Sequence, residues 1–158
     1  MRKRIISQNL DRPSGSEKEW LNLDEIASAE VTSEDTNFPI ESAFTMAKGS
    51  RGWRAAEAGQ QTIRIIFDYP QAIRRIRLEF SEPACERSQE FALKWSDRAA
   101  GPFREIVRQQ WNFSPQGSSI EVEDYQVRLQ NVSVLELAIR PELNQGQGIA
   151  TLSRWSIA

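Results

Sequence analysis

Histidine is absent from this sequence of 158 residues, and cysteine occurs only once. Without histidine the chain lacks the commonest general base of enzymes and the commonest side-chain ligand of metal ions. Enzymes that act through carboxylates alone are not excluded by this absence. Cys85 has no second cysteine in the chain with which to form a disulfide, and no histidine that could activate its thiol. We therefore predict a fold that is stabilised by its core, without a catalytic cysteine.

Long apolar stretches and segregated charges are also missing. No segment approaches the roughly 20 apolar residues that a membrane-spanning helix requires. The 20 basic and 22 acidic side chains nearly cancel and are mixed along the chain, whereas nucleic-acid binding needs basic residues clustered on one face. The sequence therefore argues against both a membrane span and a nucleic-acid partner.

The first 19 residues are polar, and they include the turn-forming sequence Pro13-Ser14-Gly15-Ser16. The basic start, Met1–Ile6, is similar to the charged region of a signal peptide. However, Ser7-Gln8-Asn9 follows where an apolar stretch is required. We therefore predict a flexible arm over residues 1–19, one domain over residues 20–158, and a cytoplasmic location.

Most of the remaining chain alternates between apolar and polar residues with a period of two. In Arg75–Phe80, for example, Ile76, Leu78 and Phe80 share one face, while the charged residues share the other. A helix would scatter these charges around its circumference, so a strand is favoured. The pattern predicts strands at residues 62–68, 75–80, 91–95, 103–113, 120–123, 125–129, 134–140 and 152–157, with residues 20–26 docking on the core as a short strand or turn. Since turn residues separate the strands and no amphipathic helix is evident, we predict an all-β, antiparallel β-sandwich of the jelly-roll kind.

Several short segments carry a family resemblance through their order and spacing. They are Ala27-Ser28-Ala29, Ser33-Glu34, Ala43-Phe44, Gly52-Trp53, Ile73–Leu78, Phe91–Ser96 and Trp155. In this order the chain resembles the discoidin, or coagulation factor five/eight type C, domain family and its bacterial relatives among carbohydrate-binding modules. The resemblance covers residues 26–158. It implies a galactose-binding-domain-like β-sandwich that binds a ligand without catalysis.

In the family, the loop after the Ala-Phe pair often wraps a structural calcium ion through backbone carbonyls and an aspartate. A glutamate at the start of the last strand commonly supplies a second anionic ligand. Thr45 and Met46 stand at the matching loop positions here, and Leu152-Ser153-Arg154 stands at the last strand. Calcium prefers about six to eight oxygen ligands, including anionic ones, whereas Lys48 and Arg154 would repel a cation. We predict no structural calcium and no other cofactor.

The resemblance also implies a ligand site. In many sugar-binding relatives a Trp-His pair and an earlier Ser-Glu pair contact the sugar, and the matching residues here are Trp53-Arg54 and Ser33-Glu34. The planar guanidinium of Arg54 suits hydroxyl acceptors and, better still, a carboxylate, so an acidic sugar fits as well as a neutral one. We predict that Glu34 and Arg54 orient the ligand. Trp53 either offers an apolar face to the ligand or fills the core.

Two further residues are candidates for the site. Relatives often present an arginine to the ligand from the loop that corresponds to Glu82–Ser88, and Arg87 is the matching donor, with plain solvation as the alternative. Trp111 lies at a strand end beside Phe113 and could form a platform for a sugar or a protein partner. We predict accessory roles for Arg87 and Trp111.

The densest acidic residues are Glu121, Glu123 and Asp124, and alternation predicts that Glu121 and Glu123 share a solvent face rather than form an active site. We therefore predict a binding module without catalytic residues, with carbohydrate as the first ligand class. The alternative is an intracellular protein–protein interaction domain of the same fold, with an apolar patch around Trp111 and Phe113. A carboxylate-dependent hydrolase or lyase is the remote alternative, and the sequence specifies no oligomeric state.

Overall fold

The computed structural model describes residues 20–45, 49–144 and 147–158, so the predicted arm over residues 1–19 lies outside the described residues. Two short helices and eight strands make up this part of the chain. In chain order they are α1 (Leu23–Ile26), β1 (Ala27–Val31), α2 (Glu41–Phe44), β2 (Trp53–Ala58), β3 (Gln61–Ser81), β4 (Arg87–Ser96), β5 (Arg104–Phe113), β6 (Ile120–Arg140), β7 (Ile149–Leu152) and β8 (Arg154–Ile157). Among these residues, no helix is long and apolar enough to cross a membrane.

β3 and β6 are each 21 residues long and pair with one another in antiparallel register. The predicted division into separate strands is therefore wrong, both for residues 62–68 and 75–80 and for residues 120–123, 125–129 and 134–140. The register of the pairing shifts between Ile66 and Arg75 while the strand continues. Pro70, which has no N–H to donate, lies within that irregular stretch.

The two long strands run through both layers of a sandwich. In the first layer, the beginning of β3 pairs with β1 and with the end of β6, which in turn pairs with β4, and β4 with β5. In the second layer, the end of β3 lies between β8 and the beginning of β6. β2 and β7 form a separate pair. Phe80 of the second layer stacks on Phe91 of the first, with ring centroids 5.2 Å apart. The predicted all-β antiparallel sandwich is therefore confirmed.

The alternation within β3 is reproduced in the packing. Ile63, Ile65 and Phe67 are buried from one half of the strand, and Ile76, Leu78 and Phe80 from the other. Each buried aliphatic or aromatic side chain contributes about 1.5–3 kcal/mol relative to exposure to water. The period-two pattern thus identified the core positions of β3 correctly, although the strand boundaries differ.

Gly52 lies directly before Trp53, the first residue of β2. Its φ is +73°, and a Cβ atom at this position would lie 2.5 Å from the carbonyl oxygen of Leu152 and 2.8 Å from the Cα of Ser153. Only glycine allows both this backbone conformation and this close approach. The loop therefore packs directly on the end of β7, and Trp53 enters the core next to it.

The beginning of β6 departs from the prediction. Glu121 pairs in register with Phe80 and Glu123 with Leu78, and side chains directly opposite each other in a sheet lie on the same face. Since Phe80 and Leu78 are fully buried, both acids point inward, and Glu121 is fully buried. The prediction that they share a solvent face is wrong. Their neighbours Ile120 and Val122 point outward instead and are 59% and 45% exposed.

Candidate functional site

Trp53 is a core residue. Alternation in β2 turns Trp53 and Ala55 inward, and Trp53 is only 1% exposed. Its indole Nε1 donates a hydrogen bond to the carbonyl oxygen of Ser33 at 3.2 Å. The hypothesis that its ring offers a face to a ligand is therefore wrong, and the core alternative holds.

Glu34 and Arg54 are neighbours through their backbones, but their side chains diverge. The amide of Asp35 donates to the carbonyl oxygen of Arg54 at 2.9 Å. The Glu34 carboxylate instead accepts a hydrogen bond from the amide of Ile40 at 2.6 Å, just before α2. The guanidinium of Arg54 lies over the ring of Phe38, 5.1 Å from its centroid. Within the described residues these two side chains form no ion pair, so Glu34 serves the local backbone.

The exposed side chain of Arg54 lines a cleft of about 460 Å³, called here the first cleft. Its other walls come from the loop between β3 and β4 and from the chain that enters β7. The lining residues are Ser81, Glu82, Pro83, Ala84, Cys85, Glu86, Arg87, Glu142, Gln147, Gly148, Ile149 and Thr151. The structure thus brings together Arg54 and Arg87, two of the five predicted site residues.

Arg87 forms the floor of this cleft and is 6% exposed. Its Nε donates to the Glu82 carboxylate at 2.7 Å, and its Nη1 donates to the carbonyl oxygen of Pro141 at 2.7 Å and to Gln89 at 3.0 Å. The guanidinium also lies 4.7 Å from the ring centroid of Phe113. Because these contacts join the loop before β4 to the end of β6, Arg87 holds two walls of the cleft together. Arg87 is therefore not a solvated surface residue, whereas its role as an accessory donor to a ligand stays a prediction.

A second cleft, of about 440 Å³, adjoins the first. The two share Glu86, Arg87 and Glu142. Beyond these residues the second cleft is lined by Ser88, Asn112, Phe113 and Asn144. Sequence reasoning pointed to the loop that carries Arg87, but it missed Glu86, Glu142 and Asn112, which have no pattern that distinguishes them from other surface residues.

Trp111 lines neither cleft. It is half-buried against the core, and its Nε1 donates to the carbonyl oxygen of Ser118 at 3.2 Å. Phe113 is 1% exposed. The predicted apolar patch around Trp111 and Phe113 is therefore wrong, because one ring is in the core and the other is partly covered.

The buried acid of β6 belongs to an internal polar cluster next to Arg87. Gln89 bridges the two, since it accepts from Arg87 at 3.0 Å and donates to Glu121 at 3.4 Å. Burial is the main reason that the pKa of Glu121 is raised to about 8, and a hydrogen bond with Glu123 and its negative charge add to the shift. Neither carboxyl group lines the two clefts, so this acidic pair does not face the candidate site.

The residues described contain no group of three or more histidine, cysteine, aspartate or glutamate side chains placed to hold a metal ion. Of the residues on which the calcium prediction rests, Met46 and Lys48 lie outside the described residues. The Nε of Arg154 lies 3.9 Å from an oxygen of Glu79. The absence of structural calcium stays a prediction.

No protein-family model and no curated protein sequence matches the chain. Solved structures do match its fold. The family 32 carbohydrate-binding module of C. perfringens NanJ, in complex with galactose, has a TM-score of 0.59 at 13% identity, over 87% of this chain and 96% of that one. The family 32 module of AlyQ, in complex with 4,5-unsaturated mannuronic acid, has a TM-score of 0.59 at 15% identity, over 84% and 95%.

A third match is a family 32 module from a family 31 glycoside hydrolase of Clostridium perfringens. It has a TM-score of 0.62 at 12% identity and covers 92% of this chain and 98% of the module. At these identities the likeness establishes the fold. The chain therefore has the galactose-binding-domain-like β-sandwich fold that these modules share.

Proposed function

We propose that this protein is a non-catalytic carbohydrate-binding module and that the first cleft is its sugar site. The observation that carries the proposal is the chemistry of the lining. The exposed guanidinium of Arg54 is a donor, the carboxylates of Glu86 and Glu142 are acceptors, and Pro83 and Ile149 add apolar surface. Sugar hydroxyls both donate and accept hydrogen bonds, and sugar rings also present C–H faces, so such a mixed lining suits a saccharide.

The structural neighbours support the same class of ligand. One module was solved with galactose, a neutral sugar, and another with an unsaturated mannuronic acid, which carries a carboxylate. This fold therefore accommodates both kinds of sugar in other proteins. Since function resides in the site rather than the fold, the side chains of the first cleft select the sugar here.

A glycan-array screen of the purified protein, with and without a calcium chelator, tests the proposal. We expect calcium-independent binding to at least one glycan. Arg54→Ala should weaken that binding by roughly tenfold or more, because hydrogen bonds to a charged group are the strong ones.

Arg51→Ala is the matched control. Arg51 also lies over the ring of Phe38, 4.4 Å from its centroid, but it does not line the first cleft. The control should bind like the unmodified protein. Equal losses in both variants would place the effect at Phe38 rather than in the cleft. A silent array would contradict the proposal and favour the protein-interaction alternative, for which exposed Ile120 and Val122 offer contacts.

A further inference from the structure

The two clefts lie side by side, and together they are called here the groove. Glu86, Arg87 and Glu142 line both of them, so these three residues mark the junction between the clefts. Each cleft alone, at about 460 and 440 Å³, lies within the roughly 300–1,000 Å³ that is typical of a site for a drug-sized ligand. A single sugar ring is smaller than such a ligand, so one ring leaves much of the groove empty.

The far end of the groove also has the chemistry of a hydroxyl-binding site. Ser88 and Asn112 face each other across β4 and β5, and the Ser88 hydroxyl donates to the amide oxygen of Asn112 at 2.7 Å. Within the described residues the amide nitrogen of Asn112 makes no hydrogen bond and stays available as a donor. Asn144 adds a second side-chain amide to the same cleft.

The junction between the clefts is acidic. Glu86 is exposed and takes part in no ion pair or hydrogen bond within the part of the chain described. Glu142 is half-buried, and one of its carboxylate oxygens accepts from the backbone N–H of Asn144 at 2.9 Å. The positive charge of Arg87 is already paired with Glu82. A ligand group at the junction therefore meets two carboxylates, which accept from hydroxyl or ammonium groups and repel another carboxylate.

We propose that the groove binds a saccharide of at least two units, with one ring in each cleft and with hydroxyl or amino groups, not carboxylates, at the junction. This inference rests on the proposed function and adds the length and charge of the ligand. Arg54 contacts the first unit, and Asn112 contacts the second. Glu86 and Glu142 discriminate against acidic sugars at the linkage.

Calorimetric titration with a length series tests the proposal. The probes are galactose, glucose and galacturonic acid, each as the monomer and as its β- or α-1,4-linked dimer and trimer. Because the second unit adds contacts in the second cleft, we expect the affinity for the neutral dimer to exceed that for the monomer by about tenfold, which corresponds to about 1.4 kcal/mol. The galacturonate dimer should bind more weakly than the neutral dimers, and Glu86→Gln should narrow that difference.

Asn112→Ala tests the second cleft directly, and Gln110→Ala is its matched control. Both residues lie on β5, two positions apart, and both side chains contact a β4 residue, because the Gln110 amide donates to Glu90 at 3.0 Å. Only Asn112 lines the groove. Asn112→Ala should lower the affinity for the dimer more than that for the monomer, whereas Gln110→Ala should change neither.

The outcomes separate this inference from the proposed function. Monomer and dimer affinities that agree within twofold, or an Asn112→Ala variant that behaves like Gln110→Ala, would overturn the two-unit groove while leaving a sugar site in the first cleft. Tighter binding of galacturonate dimers than of neutral dimers would overturn the assigned charge preference. No binding of any probe, together with a silent glycan array, would overturn the proposed function and this inference with it.

Discussion

In the second half of β6, alternate side chains are apolar and fully buried: Leu135, Leu137 and Ile139. At the beginning of the same strand, the inward positions hold Glu121 and Glu123, while Ile120 and Val122 point to solvent. The two halves of β6 also differ in the strands with which they pair. Residues 134–139 lie between β3 and β4, whereas residues 120–126 pair only with β3 among the described strands.

Alternation therefore identifies which residues share a face of a strand but not which face is covered. In the central half, apolar residues and the covered face coincide. At the margin of the sandwich they do not, and the covered position holds an acid that contacts Gln89. Burying this carboxyl group costs folding free energy.

The largest expected effect tests the packing of the central half. Leu137→Ala should lower the free energy of unfolding by about 3 kcal/mol, because it leaves a cavity at a fully buried site. The matched change in the first half is Val122→Ala. It should change the free energy of unfolding by no more than about 0.5 kcal/mol, because Val122 is 45% exposed. Urea denaturation measures both. Equal losses would contradict the outward orientation of Val122.

The second prediction concerns the buried acid. Because the pKa of Glu121 is raised from 4.5 to about 8 by burial and by Glu123, the folded protein holds the proton that the unfolded chain releases. Its contribution to stability is therefore full below about pH 4.5 and is lost as the pH rises toward 8. Because glutamine carries no ionisable group, Glu121→Gln removes this dependence of stability on pH. The variant should therefore raise the free energy of unfolding by on the order of 2 kcal/mol at pH 9 and change it little at pH 4.

Glu136→Gln is the control for this prediction, since it makes the same change in the other half of β6. The Glu136 carboxylate accepts from the Nε of Arg64 at 2.8 Å, so neutralising it should lower the free energy of unfolding by about 0–1 kcal/mol at pH 7. Thermal unfolding across the pH range compares the two variants. Destabilisation by Glu121→Gln at pH 9 would contradict the raised pKa of Glu121.

The smallest expected effect concerns Tyr125, which lies in the first half of β6. The Tyr125 hydroxyl donates to the Glu123 carboxylate at 3.3 Å, and burial, followed by the charge of Glu123, raises the pKa of Tyr125. Tyr125→Phe should lower the free energy of unfolding by about 0.5–1 kcal/mol, the net value of one hydrogen bond. Urea denaturation measures this change, and spectrophotometric titration of the two proteins should assign a late-titrating tyrosine to position 125. A normal titration of that tyrosine would contradict its partial burial.

Several elements could be predicted from the sequence, and others could not. The strands β3, β4 and β5 follow from alternation, because each carries enough apolar side chains to reveal its period. β1 could not be predicted in this way, because it lies at a sheet edge and its central residues are exposed. The family resemblance includes Ala27-Ser28-Ala29 but predicts no strand there.

The residues of the candidate site also fall into two groups, those that the sequence indicated and those that it did not. Arg54 and the loop of Arg87 could be singled out from the sequence, since the loop carries turn residues and the resemblance marks both. The burial of Arg87 could not, because it depends on Glu82 and on the carbonyl oxygen of Pro141, 54 residues away. The positions of Glu86 and Asn112 in the groove likewise depend on packing between residues that are far apart in the chain.

By itself the sequence determined the class of fold, because short-range alternation and turn residues dictate strands, and strands with one apolar face must pack into layers. Tertiary structure alone decided which face of β6 is covered, where Trp53 and Arg87 lie, and which loops meet at the groove. These outcomes depend on contacts between residues far apart in the chain, and local pattern carries no information about them.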